Sequence, residues 1–271
     1  MINMKIYIIT HKKFKNIVDS DLYQPLLVGA DYNSGDTGYL RDNDFPQNIS
    51  SKNKNYCELT GLYWIWKRSN EDFVGLCHYR RYFTTSKHFP RTHILDKAKT
   101  AEIFEQYDII LPARDKNIFY GMNAKEQFAY CHDVTIWDQC KAIIESNCSD
   151  YLKDINWFEQ QTTAYCYNMM ISNKAICDAY CEWLFPILFE MEKQIDLSQY
   201  NSYNQRMFGF VSERLLNIWV HHQHLKVKEL PIYNSEDKRS ALKKAYDNIK
   251  IKAIMKKEIK KRRGNHLECK D

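Results

Sequence analysis

The sequence predicts an α/β fold built on a mostly parallel central sheet. Short β-branched runs alternate with stretches of helical periodicity, and several of the runs are apolar at consecutive positions, as strands covered on both faces must be. No internal repeat or low-complexity segment breaks that alternation. At 271 residues and 32.5 kDa the chain is long enough for a substantial core, and one main domain over 1–237 followed by a tail over 238–271 is expected.

The first strand is MKIYIITHK, an apolar run that ends in Thr10, His11 and Lys12. Ligands in open α/β sheets bind beyond the carboxyl ends of strands, so these three residues stand where a nucleotide would sit. YQPLLVGADYN gives a second strand, and the polar, turn-rich SGDTGYLRDNDFPQNISSKNKN after it has the length of a functional or mobile loop. Leu59, Leu62, Tyr63 and Trp66 place YCELTGLYWIWKRS on a helix. DFVGLCHYRRYF follows as a strand that turns cationic at His78, Arg80 and Arg81. TAEIFEQYD reads as helix, and YDIILPARD as a buried strand stopped by Pro112. NAKEQFAYCHDVTIWDQCKAIIESNC and AICDAYCEWLFPILFEMEKQI are helical, with TAYCYNMMISN as a strand between them. SYNQRMFGFVSERLLNIWVHHQHLKVKELPIY reads as a helix and a last strand.

Composition narrows the function classes. The nine cysteines are odd in number and show no CxxC pair, which favours reduced thiols in a cytosol over a disulfide framework or a zinc site. The apolar run at the N-terminus is too short for a signal peptide core or a membrane span, so a cytoplasmic protein is expected. The net charge of +5 has its basic excess in the tail, where Leu242, Ala245, Ile249, Ile251, Ile254 and Ile259 recur among lysines. That pattern suits a basic amphipathic helix on anionic lipid, and equally a solvated tail. Nucleic acid is not an expected partner, because the tail lacks interleaved aromatics. The 19 Tyr suit sugar or base stacking, although ordinary packing accounts for most tyrosines.

The most informative local feature is GLCHYRRYF, Gly75 to Phe83. In an alternating strand Arg80 and Arg81 point to opposite faces, and a buried guanidinium needs an anionic partner. Phosphate oxygens match the planar fork of arginine, and a carboxylate from Glu58 or Asp72 is the structural alternative.

The blocks NISSKNKNYCELTGLYWIWK, GLCHYRRYF, YNMMISNKAICDAYCEWLFPILFEME and FGFVSERLLNIW resemble those of bacterial glycosyltransferases from capsule, exopolysaccharide and O-antigen loci, whose domain was long of unknown function. The resemblance runs from about Lys5 to Tyr233. It implies a GT-A-like nucleotide-binding sandwich that transfers a sugar from a UDP-sugar donor, with galactofuranose or galactose as the leading candidate, to an oligosaccharide or lipid-linked acceptor. A non-catalytic nucleotide- or glycan-binding protein of the same fold is the alternative.

Enzymes of that fold usually hold Mn²⁺ or Mg²⁺ on an Asp-x-Asp at the end of a central strand. Here that place offers His78, Arg80 and Arg81, so a metal-independent transfer without cofactor is favoured, in which cations take over the stabilisation of the departing diphosphate, with Mn²⁺ or Mg²⁺ as the alternative. Asp42 and Asp44 have the spacing but follow no apolar strand, and turn formation is the favoured role for them. Inverting transfer needs a carboxylate base. Glu213, near the start of a predicted helix, is the candidate, with Arg214 contacting phosphate or orienting it, although a helix-start carboxylate is also favoured by the macrodipole. Asn48, Ser50, Lys52 and Asn53 are candidates for the donor sugar or diphosphate, His132 and Asp133 for the acceptor side, and Asn168 for the sugar. His221, His222 and His224 tempt a zinc assignment, but adjacent helical positions do not share a face and no further ligand stands nearby in sequence.

Overall fold

A computed structural model describes residues 3–19, 21–114, 119–240, 242–244 and 246–255. The fold is mixed α/β, as expected. β1 (Met4–Thr10), β2 (Tyr23–Leu27) and the two-residue β3 (Leu40–Arg41) open the chain. They are followed by the short α1 (Asn53–Tyr56), α2 (Leu59–Arg68), β4 (Phe73–His78) and β5 (Arg81–Phe83). Next come α3 (Lys97–Phe104), β6 (Ile109–Pro112), α4 (Ala124–Cys131), α5 (Val134–Asn147) and α6 (Leu152–Glu159). The domain closes with β7 (Met170–Asn173), α7 (Lys174–Gln194), α8 (Met207–His222), β8 (Val227–Leu230) and β9 (Ile232–Asn234).

The main path of the sheet runs β3-β2-β1-β4-β7-β6-β8, with β5 and β9 attached beside β4. All of its neighbours are parallel except β7, which is antiparallel to β4 and β6. Register explains why one edge of this sheet gathers so many side chains. Ile9 pairs with His78 and Thr10 with Leu27, so β1, β2 and β4 end at one level. Because β7 runs the other way, with Met170 opposite Leu76, the residues that lead into β7 arrive at that same edge. Gly75 of β4 has no room for a side chain, since a Cβ there would lie 2.7 Å from Ile171 of β7.

Helices cover both faces, and aromatic rings fill the gaps. Trp66 of α2 stacks on Phe185 of α7 at 5.6 Å, and Tyr56 of α1 lies 4.8 Å from Phe208 of α8. Helix starts are capped by the short polar residues that favour this role: Asp96, Asn123, Asp133 and Asn173 each accept a backbone N–H of the first turn.

The stretch NAKEQFAYCHDVTIWDQCKAIIESNC is two helices, α4 and α5, the last strand is split into β8 and β9, and α6 was not expected. Three further differences lie at the edge where β1 and β4 end. DFVGLCHYRRYF is not one strand but β4, a two-residue turn at Tyr79–Arg80, and β5, with His78 paired to Arg81. Arg80 and Arg81 are therefore not on opposite faces of a strand. TAYCYNMMISN is strand only from Met170, because Tyr167 (φ 78°) and Asn168 (φ 50°) take left-handed conformations. The helix YCELTGLYWIWKRS is broken at Cys57 (φ 52°), which separates α1 from α2.

The polar loop after β2 is a packed clasp. Gly29 (φ 59°) turns the chain, and the buried Asp42 carboxylate accepts Gly29 N at 2.8 Å, Ala30 N at 3.0 Å and Ser50 Oγ at 2.6 Å. Asp44 accepts Trp64 Nε1 at 2.7 Å. In the tail, residues 242–244 and 246–255 are helical and expose Leu242, Tyr246, Ile249 and Ile254. The expected tail from 256 onward, including Ile259, and Ala245 lie outside the described residues.

Candidate active site

The edge where β1 and β4 end opens into a cavity of about 750 Å³. Its walls come from five places in the chain. Thr10 and His11 follow β1, Asn53, Lys54, Cys57 and Glu58 belong to the α1–α2 break, and His78 to Arg81 form the β4–β5 turn. Cys166 and Tyr167 precede β7, Arg206 stands just before α8, and Phe210, Glu213 and Arg214 recur along one face of α8. Gln127, Cys131 and His132 of α4 and Tyr203 complete the rim.

The charge balance of this lining is cationic: Lys54, Arg80, Arg81, Arg206 and Arg214 against Glu58 and Glu213. Arg81 donates to His78 Nδ1 at 3.1 Å and lies 4.5 Å over the Tyr167 ring. It makes no ion pair with a carboxylate among the described residues. Arginine is only a donor, so Nδ1 of His78 is the unprotonated nitrogen. Burial, together with the Arg81 and Arg80 charges, pulls the His78 pKa down to about 3, and the ring is neutral at physiological pH. Arg80 pairs with Glu236 at 3.2 Å, with both side chains more than a third exposed. Such a pair is worth little in water and is readily exchanged for a stronger anion. Neither arginine is therefore locked in a buried carboxylate pair, and neither meets Glu58 or Asp72.

Two carboxylates line the cavity. Glu213 is in the second turn of α8, not at the helix start, so the macrodipole account does not apply to it. It accepts Tyr167 N at 3.0 Å and Arg214 Nη1 at 3.3 Å. Burial raises its pKa, opposed by Arg214, the Tyr167 N–H, Arg81 and Arg206. Arg214 is held on the protein beside Glu213, donating to Phe210 O at 2.9 Å and Gln127 Oε1 at 2.8 Å. Glu58 accepts Asn168 Nδ2 at 2.7 Å, and burial pushes its pKa up to about 7. Asn168 is not in the lining but behind it, held also by Gly209 O and Ser212 Oγ. Left-handed Cys57, Tyr167 and Asn168 all lie at or just behind this cavity, and backbone strain of about 1–3 kcal/mol per residue concentrates at functional sites.

Thr10, His11, Asn53, His78, Arg80, Arg81, His132, Glu213 and Arg214 are thus brought together as the sequence suggested. Lys12 is beside them, its Nζ 5.1 Å over the Tyr79 ring, but outside the lining. Asn48, Ser50, Lys52 and Asp133 are elsewhere. Asn48 and Ser50 belong to the clasp around Asp42, and Lys52 pairs with Glu192 of α7 at 2.6 Å. Asp133 caps α5 and accepts the Tyr200 hydroxyl at 2.8 Å. Asp42 and Asp44 do not fit a metal ion, because both oxygens of Asp42 are taken by the clasp, Asp44 holds Trp64, and neither residue lines the cavity. Among the described residues no cluster of three or more His, Cys, Asp or Glu side chains is arranged to hold one.

Arg206, Tyr167, Tyr203 and Phe210 were not legible as site residues. Phe210, Glu213 and Arg214 share an i, i+3, i+4 spacing, and that was the one available signal. His221 and His222 do share a partner after all: Asp154 receives Nδ1 of one at 2.7 Å and of the other at 2.8 Å. Their rings stack on Trp157 and Tyr151, so the pair is a clasp between α6 and α8 outside the cavity.

Residues 5–224 match the family model described as a domain of unknown function, DUF4422. The chain belongs to the DUF4422 family. Its sheet and helices are also similar to a solved apo structure of WbbM, a bifunctional glycosyltransferase, with a TM-score of 0.77 and 29% identity over 87% of this chain. The DUF4422 chain spans about half, 46%, of that longer structure. No curated protein matches the sequence. Among the described residues of this DUF4422 chain, no helix is long and apolar enough to cross a membrane.

Proposed function

We propose that the chain is a glycosyltransferase that takes a sugar from a UDP-sugar, galactofuranose or galactose being the leading donors, and passes it to a glycan or lipid-linked acceptor in capsule, exopolysaccharide or O-antigen synthesis. The observation that carries this is the cationic cavity at the carboxyl edge of the sheet, with Arg81 unpaired by any carboxylate among the described residues. The likeness to a glycosyltransferase supports the same class of chemistry.

In this reading Thr10 and His11 are near the nucleotide, and Arg80, Arg81 and neutral His78 receive the diphosphate. Fixed cations in a half-enclosed site stabilise the charge that develops on the leaving group without rearranging as it forms. The acceptor hydroxyl oxygen forms a bond to the anomeric carbon, and the bond from that carbon to the diphosphate oxygen breaks, its electron pair leaving with UDP. The hydroxyl proton passes to Glu213, which Arg214 and the Tyr167 N–H hold in place. The result is inversion at the anomeric carbon. Neither step needs a divalent ion.

A panel of UDP-sugars tested by thermal shift in EDTA checks this directly. Stabilisation by UDP and by one UDP-sugar, with UDP release when an acceptor glycan is added, is the expected result. Stabilisation that appears only with Mn²⁺ removes the metal-free mechanism, and binding without any turnover leaves a donor-binding protein.

In the same proposal the enzyme works at the anionic cytoplasmic face of a membrane, a reading that the exposed apolar residues of the tail helix, among lysines, support. Cosedimentation with phosphatidylglycerol vesicles, lost in a chain truncated after residue 237, is expected. Equal sedimentation of the truncated chain contradicts it.

A further inference from the structure

The cavity has an aromatic end that the donor chemistry does not use. Tyr203 is 53% exposed although it lines the cavity. Its ring lies 5.9 Å from His132 at an interplanar angle of 14°, and 5.0 Å from Phe210. His132 and Phe210 are themselves stacked at 4.3 Å and 25°. His132 Nδ1 is 3.1 Å from Asn204 Oδ1, which can only accept, so this nitrogen carries the proton and the ring is fixed in orientation. Burial lowers the His132 pKa to about 4, which keeps the cluster uncharged at physiological pH.

Resting on the glycosyltransferase reading, we propose that Tyr203, backed by His132 and Phe210, is the platform on which the terminal sugar ring of the acceptor glycan stacks. A sugar ring has a face of C–H groups and a rim of hydroxyls. The electron-rich face of an aromatic ring attracts those C–H groups, whereas an anionic phosphate gains nothing from it. The platform is built from the C-terminal end of α4, the segment just before α8 and the first turn of α8, whereas Thr10 and His11 stand at the end of β1. Phe210 and Glu213 are three residues apart on α8, which is about 4.5 Å along the helix axis and on one face. A sugar stacked there presents a rim hydroxyl to the Glu213 carboxylate. The exposure of Tyr203 leaves the outer side open, as a ring with further glycan attached requires.

Saturation-transfer NMR tests this with methyl β-galactopyranoside and methyl β-glucopyranoside as probes, each in the presence of UDP. In the wild-type chain, saturation is expected at the ring C–H protons of at least one glycoside. Tyr203→Ala should reduce that signal by about tenfold or more, Tyr203→Phe should retain it, and the Kd for UDP, measured separately by calorimetry, should be unchanged in both. Absence of glycoside saturation in the wild type, or an undiminished signal in Tyr203→Ala, overturns the platform. A weakened UDP Kd in Tyr203→Ala overturns it as well, and assigns the ring to the nucleobase. Failure of UDP to bind the wild-type chain is a separate result that rejects the donor reading itself.

Discussion

Glu213→Gln is expected to lower kcat by on the order of 10²–10⁴, the usual contribution of a general base, with the KM for donor little changed. The amide keeps an oxygen to accept the Tyr167 N–H, so the geometry of the cavity survives while the proton acceptor is lost. Steady-state kinetics with both substrates saturating read this. The second carboxylate supplies the control. Glu58 is raised to about 7 and bonded to Asn168, and in this account it supports the lining, so Glu58→Gln retains transfer to within a few-fold. If the two variants exchange behaviour, the base is Glu58.

Arg81→Ala is expected to raise the UDP Kd by about 10- to 150-fold, because charge-assisted hydrogen bonds contribute about 1.5–3 kcal/mol and each 1.4 kcal/mol is a factor of ten. Arg81 is also the main charge, after burial, that holds the His78 pKa down, so its removal lets that pKa rise. Isothermal titration with UDP in EDTA measures the first effect, and NMR titration of the His78 ring the second. Arg80→Ala should cost less, since Arg80 already shares its charge with Glu236. Equal UDP affinity in wild type and Arg81→Ala contradicts the assignment.

The parts of this site that could be read from the sequence are those where polarity changes along one strand. The run MKIYIIT turning to His-Lys marks the end of β1, and GLC turning to His-Tyr-Arg-Arg marks the end of β4, because a buried strand tolerates charge only where it leaves the sheet. The turn at Tyr79–Arg80 was hidden, since it contains no Gly, Asn or Asp and neither residue has a positive φ. Asn48, Ser50 and Lys52 were misplaced for a different reason: a polar loop residue satisfies its hydrogen bonds equally well on a substrate or, as here, on Phe45 O, Asp42 and Glu192 respectively, and only the three-dimensional path decides. Tyr167 meets Thr10 through the level endings of β1 and β4 and the reversed direction of β7, whereas Tyr203 and Arg206 are brought to the same cavity by the segment that leads into α8.

The central claim is that fixed guanidinium and imidazole groups at the end of β4 hold the donor diphosphate. A crystal of the chain soaked with UDP in EDTA tests it most directly. The account predicts diphosphate oxygens at hydrogen-bond distance, about 3 Å, from the Arg81 guanidinium, with Arg80 released from Glu236. A diphosphate bound away from the β4–β5 turn, or one that enters only with a divalent ion held by Glu58 or Glu213, contradicts it.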